Sequence, residues 1–319
     1  MVKLLTHIRA VQLAALLLSL LLIIGDQPIA RGRTVIQTSR SKGLIKVPYR
    51  AWLPEGPAGK TVLLCVHGLG FSSEAYQEFG NYMAGHGIPT YALDVRGFGQ
   101  WLKMQGHQTV DFEGCVSDVE QALRTLHKAY PGARIILVGE SMGGAIAMRV
   151  TSRFPELVNG LISAVPSSDR FAKSKQEMII GMHMMKDPDK PMDVTPLIVK
   201  RYTADPVLQQ QIAKDPFNRM QISPSELKQF DQFMKDNHDS AALIEKVPVL
   251  MLAGFKDKLV KPEGTIELFN ELSTPEKLMV VVGDGEHLLF EEDQLTTETA
   301  WIVNGWLRNF ARDRQKHPT

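Results

Sequence analysis

Short unbroken apolar runs alternate with longer segments of helical periodicity from residue 44 onward. The run at 61–66 reads T-V-L-L-C-V, and it lies between a segment rich in glycine and proline and the pair His67-Gly68. Such a run is typical of a strand buried on both faces, as the strands of parallel sheets are. Similar runs follow at 89–93, 134–138, 161–165, 249–253 and 277–282.

Segments with helical character separate these runs. They lie at 74–85, 112–130, 142–154, 262–272 and 296–310. Because strand, helix and strand follow one another with long crossovers, this order predicts a doubly wound, mostly parallel sheet with helices on both faces. The pattern therefore favours an α/β fold.

One interval interrupts the alternation between the runs at 161–165 and 249–253. Six prolines lie between Pro188 and Pro224, a spacing that permits only short helices. We interpret the interval as an inserted helical cap at about 167–246, within a main domain at 31–310. The last residues, 311–319, read as a polar tail.

The first thirty residues differ from the rest of the chain. Lys3 and Arg9 precede an apolar run at 10–24, which is the order of charges and apolar residues found in secretory signals and signal anchors. At about 1.5 Å per residue the run is shorter than the roughly 30 Å hydrocarbon core of a bilayer. No typical cleavage site follows it. We expect export or membrane association through residues 1–30, and leave a cleaved signal, an uncleaved anchor and a buried core helix as alternatives.

Charge and cysteine content exclude several classes of protein. Of the 319 residues, 36 are Lys or Arg and 35 are Asp or Glu, and no long tract of like charge occurs, which argues against a nucleic-acid partner. The only two cysteines, Cys65 and Cys115, are too few for a disulfide framework and lack the spacing of a zinc site. Their spacing does not indicate whether they pair.

A candidate nucleophile follows the strand predicted at 134–138. The residues Gly139-Glu140-Ser141-Met142-Gly143 join this strand to the helix predicted at 142–154. A serine on such a sharp turn projects its hydroxyl outward, and Gly139 and Gly143 leave room where side chains would clash. The helix N-terminus brings partial positive charge, and the Met142 N–H can donate to an oxyanion.

An acid and a base follow in the chain order that such a serine requires. Asp257 comes just after the strand predicted at 249–253, and His287 just after the one at 277–282. Catalytic groups gather at the carboxyl ends of strands in open α/β sheets. Because a serine hydroxyl needs a base to take its proton and a third group to hold that base, we assign these roles to His287 and Asp257. The alternatives are a surface histidine and a helix-capping aspartate.

The second oxyanion donor is expected just after the strand at 61–66. There the chain reads His67-Gly68-Leu69-Gly70, and the Leu69 N–H is the candidate. A dinucleotide loop is the alternative, but it would need a third glycine where Ser73 stands.

Together these motifs resemble the α/β-hydrolase superfamily, and more narrowly its monoacylglycerol lipase and lysophospholipase branch, also grouped with serine aminopeptidase-like hydrolases. The resemblance spans roughly residues 44–310. It implies an α/β-hydrolase fold with a cap. It also implies that Ser141 is the nucleophile, Asp257 the acid and His287 the base, and that the amides of Leu69 and Met142 form the oxyanion hole. The residues implied to support the elbow and the oxyanion loop are His67, Gly68, Gly139 and Gly143.

This chain departs from the branch at one turn. Phe98 and Trp101 stand where that branch commonly has a histidine and a serine, which predicts a more apolar rim. In the cap, Met178, Ile179, Ile180, Met182, Met184 and Met185 crowd one segment. They could form an adaptable surface for acyl chains, or they could simply pack the cap.

The predicted function is hydrolysis of carboxylic esters through an acyl-enzyme, with a lipophilic small-molecule ester or lipid as substrate and with neither a metal nor an organic cofactor. An aminopeptidase or thioesterase with the same triad is an alternative, as is a non-catalytic receptor on this fold.

Overall fold

The computed structural model describes residues 33–37, 44–106, 108–166 and 169–316. Eight strands form one sheet in the order β1-β2-β4-β3-β5-β6-β9-β10. Their bounds are β1 Arg33–Gln37, β2 Tyr49–Leu53, β3 Thr61–Val66, β4 Thr90–Leu93, β5 Arg134–Glu140, β6 Gly160–Ala164, β9 Val249–Gly254 and β10 Lys277–Val282. The leader at 1–30 lies outside the described residues.

The sheet is parallel from β4 to β10, and its first two strands are antiparallel. β2 pairs antiparallel with both β1 and β4, while β3 pairs parallel with β4 and β5. β5, β6, β9 and β10 continue the parallel pairing. The prediction of a doubly wound, mostly parallel sheet is confirmed. The strands β1 and β2 were not predicted, because their short segments lack the unbroken apolar runs of the central strands.

Ten α-helices connect and cover the strands of the described chain. They are α1 Gln77–Gly85, α2 Phe112–Ala129, α3 Met142–Arg153, α4 Lys173–Lys186, α5 Thr195–Tyr202, α6 Pro206–Lys214, α7 Pro224–Lys235, α8 Asn237–Ala242, α9 Pro262–Glu271 and α10 Thr297–Lys316. The last helix runs to Lys316, beyond the helix end predicted at 310. In the described part of the chain no helix is both long enough and apolar enough to cross a membrane.

Side chains alternate between the two faces of the central strands and form a core on each face. On one face Leu63, Ile136 and Ile162 pack with residues of α1 and α10. On the other, Val62, Leu64, Leu137 and Leu161 pack with residues of α2 and α3. Each of these side chains is fully buried, and burying one contributes roughly 1.5–3 kcal/mol to folding. Burial on both faces explains the unbroken apolar runs.

A separate helical layer is inserted between β6 and β9. It contains α4 to α8 and a two-stranded antiparallel sheet made of β7 Met192–Asp193 and β8 Gln221–Ile222. We call the segment from α4 to α8 the cap. Pro196, Pro206 and Pro224 each stand in the first turn of a cap helix, where proline has no N–H to lose. Proline spacing therefore sets where these short helices begin.

Candidate active site

Ser141 occupies a strained turn between β5 and α3. Its φ of 53° and ψ of −118° lie outside the regions that non-glycine residues usually adopt. Strain of this kind persists only where the surroundings enforce it. Met142 is the first residue of α3, so its N–H has no acceptor within the helix. The turn therefore places a hydroxyl and a backbone donor side by side.

Close backbone packing accounts for the two glycines of this turn. A methyl carbon built at Gly139 would overlap the carbonyl oxygen of Gly143. One built at Gly143 would overlap the carbonyl oxygen of Val66, at the end of β3. The elbow can therefore pack against the loop after β3 only if both positions lack a side chain.

Asp257 and His287 meet beyond the carboxyl ends of β9 and β10. Their Oδ2 and Nδ1 atoms are 2.9 Å apart, and both side chains are buried. Asp257 Oδ1 also accepts the backbone N–H groups of Leu259 at 2.7 Å and Val260 at 2.9 Å, which fixes the carboxylate. Within the described residues, the other ring nitrogen of His287, Nε2, is buried without a hydrogen-bond partner. A proton on Nδ1 leaves Nε2 as an acceptor.

Asp257 does not cap α9, because the residue at the N-cap position of that helix is Lys261. The alternative role of Asp257 as a helix-capping aspartate is therefore wrong.

The loop with Leu69 is held by His67. His67 Nε2 accepts the Val95 N–H at 3.0 Å, so Nδ1 carries the proton and donates to the Gly68 carbonyl at 2.8 Å. Burial lowers the pKa of His67, which keeps the ring neutral. His67 is therefore positioned to support the loop and not to transfer protons.

Two buried glutamates that the sequence analysis did not single out as site residues connect these loops. Glu140, next to Ser141, accepts the N–H of Leu289 at 2.6 Å. Glu291 accepts the N–H of Gly68 at 2.9 Å. Glu140 lies within the elbow motif, but nothing in the neighbouring sequence indicates its role. Glu291 lies outside every motif identified in the sequence. Only the fold brings each one to its partner loop.

The cap contacts the catalytic loops through the end of α5. The Tyr202 hydroxyl donates to the Leu69 carbonyl at 2.9 Å. Glu286, which precedes His287, accepts the Thr203 hydroxyl at 2.6 Å. Burial raises the pKa of the Tyr202 hydroxyl, so it stays protonated and remains a donor.

A cavity of about 240 Å³ lies between α4, α5, α7 and Leu69. Most of its lining is apolar and includes Leu69, Ile180, Met184, Leu197, Leu227 and Phe230. Four charged side chains also line it, and two of them, Arg170 and Asp231, form an ion pair at 2.6 Å. Since Leu69 belongs to the candidate oxyanion loop, the cavity borders the site.

The methionine-rich segment divides between two environments. Ile180 and Met184 line the cavity. Met178, Met182 and Met185 are exposed on the outside of α4, and Met185 is 90% exposed. Cap packing therefore does not account for these three methionines.

The expectation of a more apolar rim from Phe98 and Trp101 is wrong. Both side chains are buried. Phe98 packs edge-on against His67, and the Trp101 indole N–H donates to the carbonyl of Asp94 at 2.8 Å. They fill space beneath the loops because an aromatic ring can pack where a polar side chain would need partners.

Cys65 and Cys115 are free, buried thiols. Burial raises the pKa of Cys115 to about 12. Burial also raises the pKa of Cys65 well above its usual value. Both act as small core residues here.

The parallel sheet, the strained serine elbow and the paired aspartate and histidine at the strand ends define an α/β hydrolase. The model of the family described as "Serine aminopeptidase, S33" matches residues 57–294. The chain belongs to this family.

Several curated relatives with clear sequence similarity are lipases. Human monoglyceride lipase is 26% identical over 272 residues, which are 81% of this chain and 85% of that protein. The monoacylglycerol lipase of Mycolicibacterium smegmatis is 22% identical over 267 residues, covering 82% of this chain and 94% of that one.

Solved structures show the same fold. The monoacylglycerol lipase of Paleococcus ferrophilus superposes with a TM-score of 0.69 at 24% identity, over 83% of this chain and 100% of that one. A soluble variant of monoglyceride lipase from Saccharomyces cerevisiae, in complex with a substrate analog, superposes with a TM-score of 0.73 at 18% identity, over 90% and 99% of the two chains.

Proposed function

We propose that this protein is a serine hydrolase that cleaves lipophilic carboxylic esters of the monoacylglycerol or lysophospholipid kind through an acyl-enzyme. It is a carboxylic ester hydrolase. The observation that carries the proposal is the 2.9 Å contact between Asp257 and His287, which leaves a buried His287 Nε2 for the serine proton.

In the proposed mechanism the Ser141 hydroxyl attacks the ester carbonyl and its proton passes to His287 Nε2. Asp257 holds the imidazole in the required tautomer and stabilises its charged form. The Leu69 and Met142 N–H groups donate hydrogen bonds to the developing oxyanion. This electrostatic stabilisation is the largest single source of rate enhancement in many such sites. His287 then protonates the leaving alcohol, and water repeats the sequence on the acyl-enzyme.

The cavity supports the choice of a lipophilic substrate. Its mostly apolar lining suits an acyl chain, and the flexible side chain of Met184 brings an adaptable contact from the cap. The curated relatives named above are monoglyceride and monoacylglycerol lipases, which agrees with a small lipid ester. The family description names aminopeptidases, so an amide substrate is the second candidate.

A turnover series separates these candidates. Purified protein is assayed with p-nitrophenyl esters from acetyl to palmitoyl, with an acyl thioester, and with amino-acid p-nitroanilides. We expect ester turnover that rises with chain length before it falls, and no turnover of the anilides. Turnover of the anilides without turnover of the esters would contradict the proposal.

We also propose that residues 1–30 direct the protein to a membrane, as a removed signal or a retained anchor. The order of basic residues before the apolar run at 10–24 supports this. N-terminal sequencing of the protein from producing cells, combined with carbonate extraction of their membranes, tests it. A fully soluble cytoplasmic chain that still begins at Met1 would contradict it.

A further inference from the structure

Glu140 has no part in the proposed transfer of protons or acyl groups. It is nevertheless hydrogen-bonded to the loop that carries His287, the candidate base. It accepts the N–H groups of Leu289 at 2.6 Å, Phe290 at 3.3 Å and Glu291 at 3.1 Å. These amides begin two residues after His287 along the chain. The residue before the candidate nucleophile therefore holds the loop of the candidate base.

Glu291 makes the second connection. Its Oε1 atom accepts the N–H of Gly68 at 2.9 Å, one residue before Leu69. Like Glu140 it is fully shielded from solvent. The elbow is thus bonded to the histidine loop, and the histidine loop is bonded to the oxyanion loop, each through one carboxyl group.

The histidine loop needs such anchors because its backbone is strained. Glu292 and Asp293 adopt φ values of 52° and 59°, in the left-handed region that non-glycine residues rarely enter. Two consecutive residues of this kind persist only where surrounding bonds fix them. The bonds of Glu140 lie immediately before this strained pair, and the Glu292 N–H donates to the carbonyl of Ala75 at 2.9 Å.

We infer that Glu140 and Glu291 are positioning residues of which only one carries a proton: an ionised Glu140 holds the His287 loop, and a protonated Glu291 holds the oxyanion loop. The inference rests on the proposed function. Neither glutamate contacts the reacting atoms in this account, and each acts through the loop that it holds.

The number of N–H donors decides which group keeps the proton. Burial opposes charge on both carboxyls, and two charges in one buried region also repel each other. Three backbone N–H groups donate to Glu140, whereas one donates to Glu291, so the anion is better stabilised on Glu140. The Tyr76 hydroxyl also contacts Glu291, but it donates its proton to the Val66 carbonyl at 3.0 Å, so its oxygen can accept a proton from Glu291. Burial raises the pKa of Glu140 to about 7, and burial together with the nearby Glu140 charge raises that of Glu291 well above its usual range.

Glutamine variants test this assignment, because glutamine resembles a protonated glutamate and not an ionised one. Glu140→Gln, Glu291→Gln and Glu291→Ala are compared at pH 8 with the wild type. Glu226→Gln is the matched control, since Glu226 is a buried cap carboxylate paired with Arg219 and bonded to none of the catalytic loops. Each kcat is divided by the number of sites that react with a fluorophosphonate, so that misfolded molecules do not count.

We expect Glu140→Gln to lower kcat per reactive site by about 10-fold to 100-fold with little change in KM, as a small misplacement of catalytic groups does. Glu291→Gln should lose at most a few-fold, whereas Glu291→Ala should lose on the order of 10-fold or more. The control should unfold at a lower temperature with kcat per site within about twofold of wild type.

Hydrogen exchange gives a readout that does not depend on turnover. Amides 289–291 should exchange faster in Glu140→Gln, while Gly68 should exchange faster only in Glu291→Ala. A Glu291→Gln enzyme as impaired as Glu291→Ala, or a Glu140→Gln enzyme with wild-type kcat and wild-type exchange, would overturn the inference. If Glu140→Gln does not fold, the two Glu291 variants still decide it. A wild type that neither hydrolyses esters nor reacts with the probe refutes the proposed function itself, and with it any positioning role.

Discussion

The ring of Tyr202 lies flat against the imidazole of His287, with ring centroids 5.4 Å apart and 13° between the planes. The Tyr202 hydroxyl donates to the carbonyl of Leu69 at 2.9 Å. One side chain of the cap therefore contacts both the candidate base and the candidate oxyanion loop. A cap that moved as a unit would disturb both.

Substitutions at Tyr202 separate the two contacts. Tyr202→Phe keeps the ring contact but removes a hydrogen bond worth about 1 kcal/mol, so we expect kcat to fall by roughly 3-fold to 10-fold. Tyr202→Ala removes both contacts and should cost on the order of 100-fold. Steady-state kinetics on a p-nitrophenyl ester measure both. Tyr130→Phe, which removes a hydroxyl bonded to Tyr91, is the control. Equal losses in the Phe and Ala variants would show that the ring contact contributes nothing.

Replacing Asp257 by asparagine tests the orientation of the base. The amide would favour the wrong imidazole tautomer, so kcat should fall by about 10³-fold to 10⁴-fold while KM changes little. Asp284→Asn is the matched control, because Asp284 lies nearby on the surface and pairs with Lys256. A loss of less than tenfold in Asp257→Asn would mean that Asp257 does not orient the base.

The cavity predicts a change in chain-length preference. Ile180→Trp places a larger ring in the cavity, so kcat/KM for long acyl esters should fall by on the order of 10-fold or more while that for the acetyl ester stays within about twofold. Met185→Trp is the control, because Met185 is on the same helix but is exposed. It should change kcat/KM for neither the long acyl esters nor the acetyl ester. Uniform loss across all chain lengths in Ile180→Trp would show that the cavity does not hold the acyl chain.

Glu292 predicts a pH dependence of stability. Burial, together with repulsion from Asp215, Asp293 and Glu74, raises its pKa to about 8. Between the unfolded value near 4.5 and about 8, the folded protein keeps a proton that the unfolded chain has released, so the Glu292 contribution to stability is lost as the pH rises. Glu292→Gln should therefore unfold with a free energy roughly 1–3 kcal/mol higher than wild type at pH 9, and with little difference at pH 4.5.

Thermal or urea unfolding at both pH values measures this difference. Glu267→Gln on the exposed side of α9 is the control and should behave as wild type at both. A Glu292→Gln protein less stable than wild type at pH 9 would contradict the expected sign.

The fold could be predicted from the sequence because its central strands are buried on both faces. Burial there demands unbroken apolar runs, and the elbow demands glycines on either side of Ser141. Strand order along the chain then brings Asp257 and His287 to one edge. These features are local, and local patterns reveal them.

Contacts between distant segments were not predictable in the same way. Glu140 and Leu289 are 149 residues apart, and Tyr202 and Leu69 are 133 apart, and no local pattern marks either pair. Arg50 breaks the apolar pattern of β2, so that strand gave no signal, although the fold buries it. The sequence motif also does not show that Phe98 and Trp101 are buried, because their packing beneath the loops depends on residues distant along the chain.

The central claim is that Ser141 is a nucleophile activated by His287. The most direct measurement is reaction of the wild-type protein with a fluorophosphonate, followed by peptide mass spectrometry, with Ser141→Ala and Ser163→Ala treated in parallel. We expect a single adduct on Ser141, its absence in Ser141→Ala together with loss of ester turnover by several orders of magnitude, and normal labelling in Ser163→Ala. Turnover retained in Ser141→Ala, or an adduct only on another residue, would contradict the account.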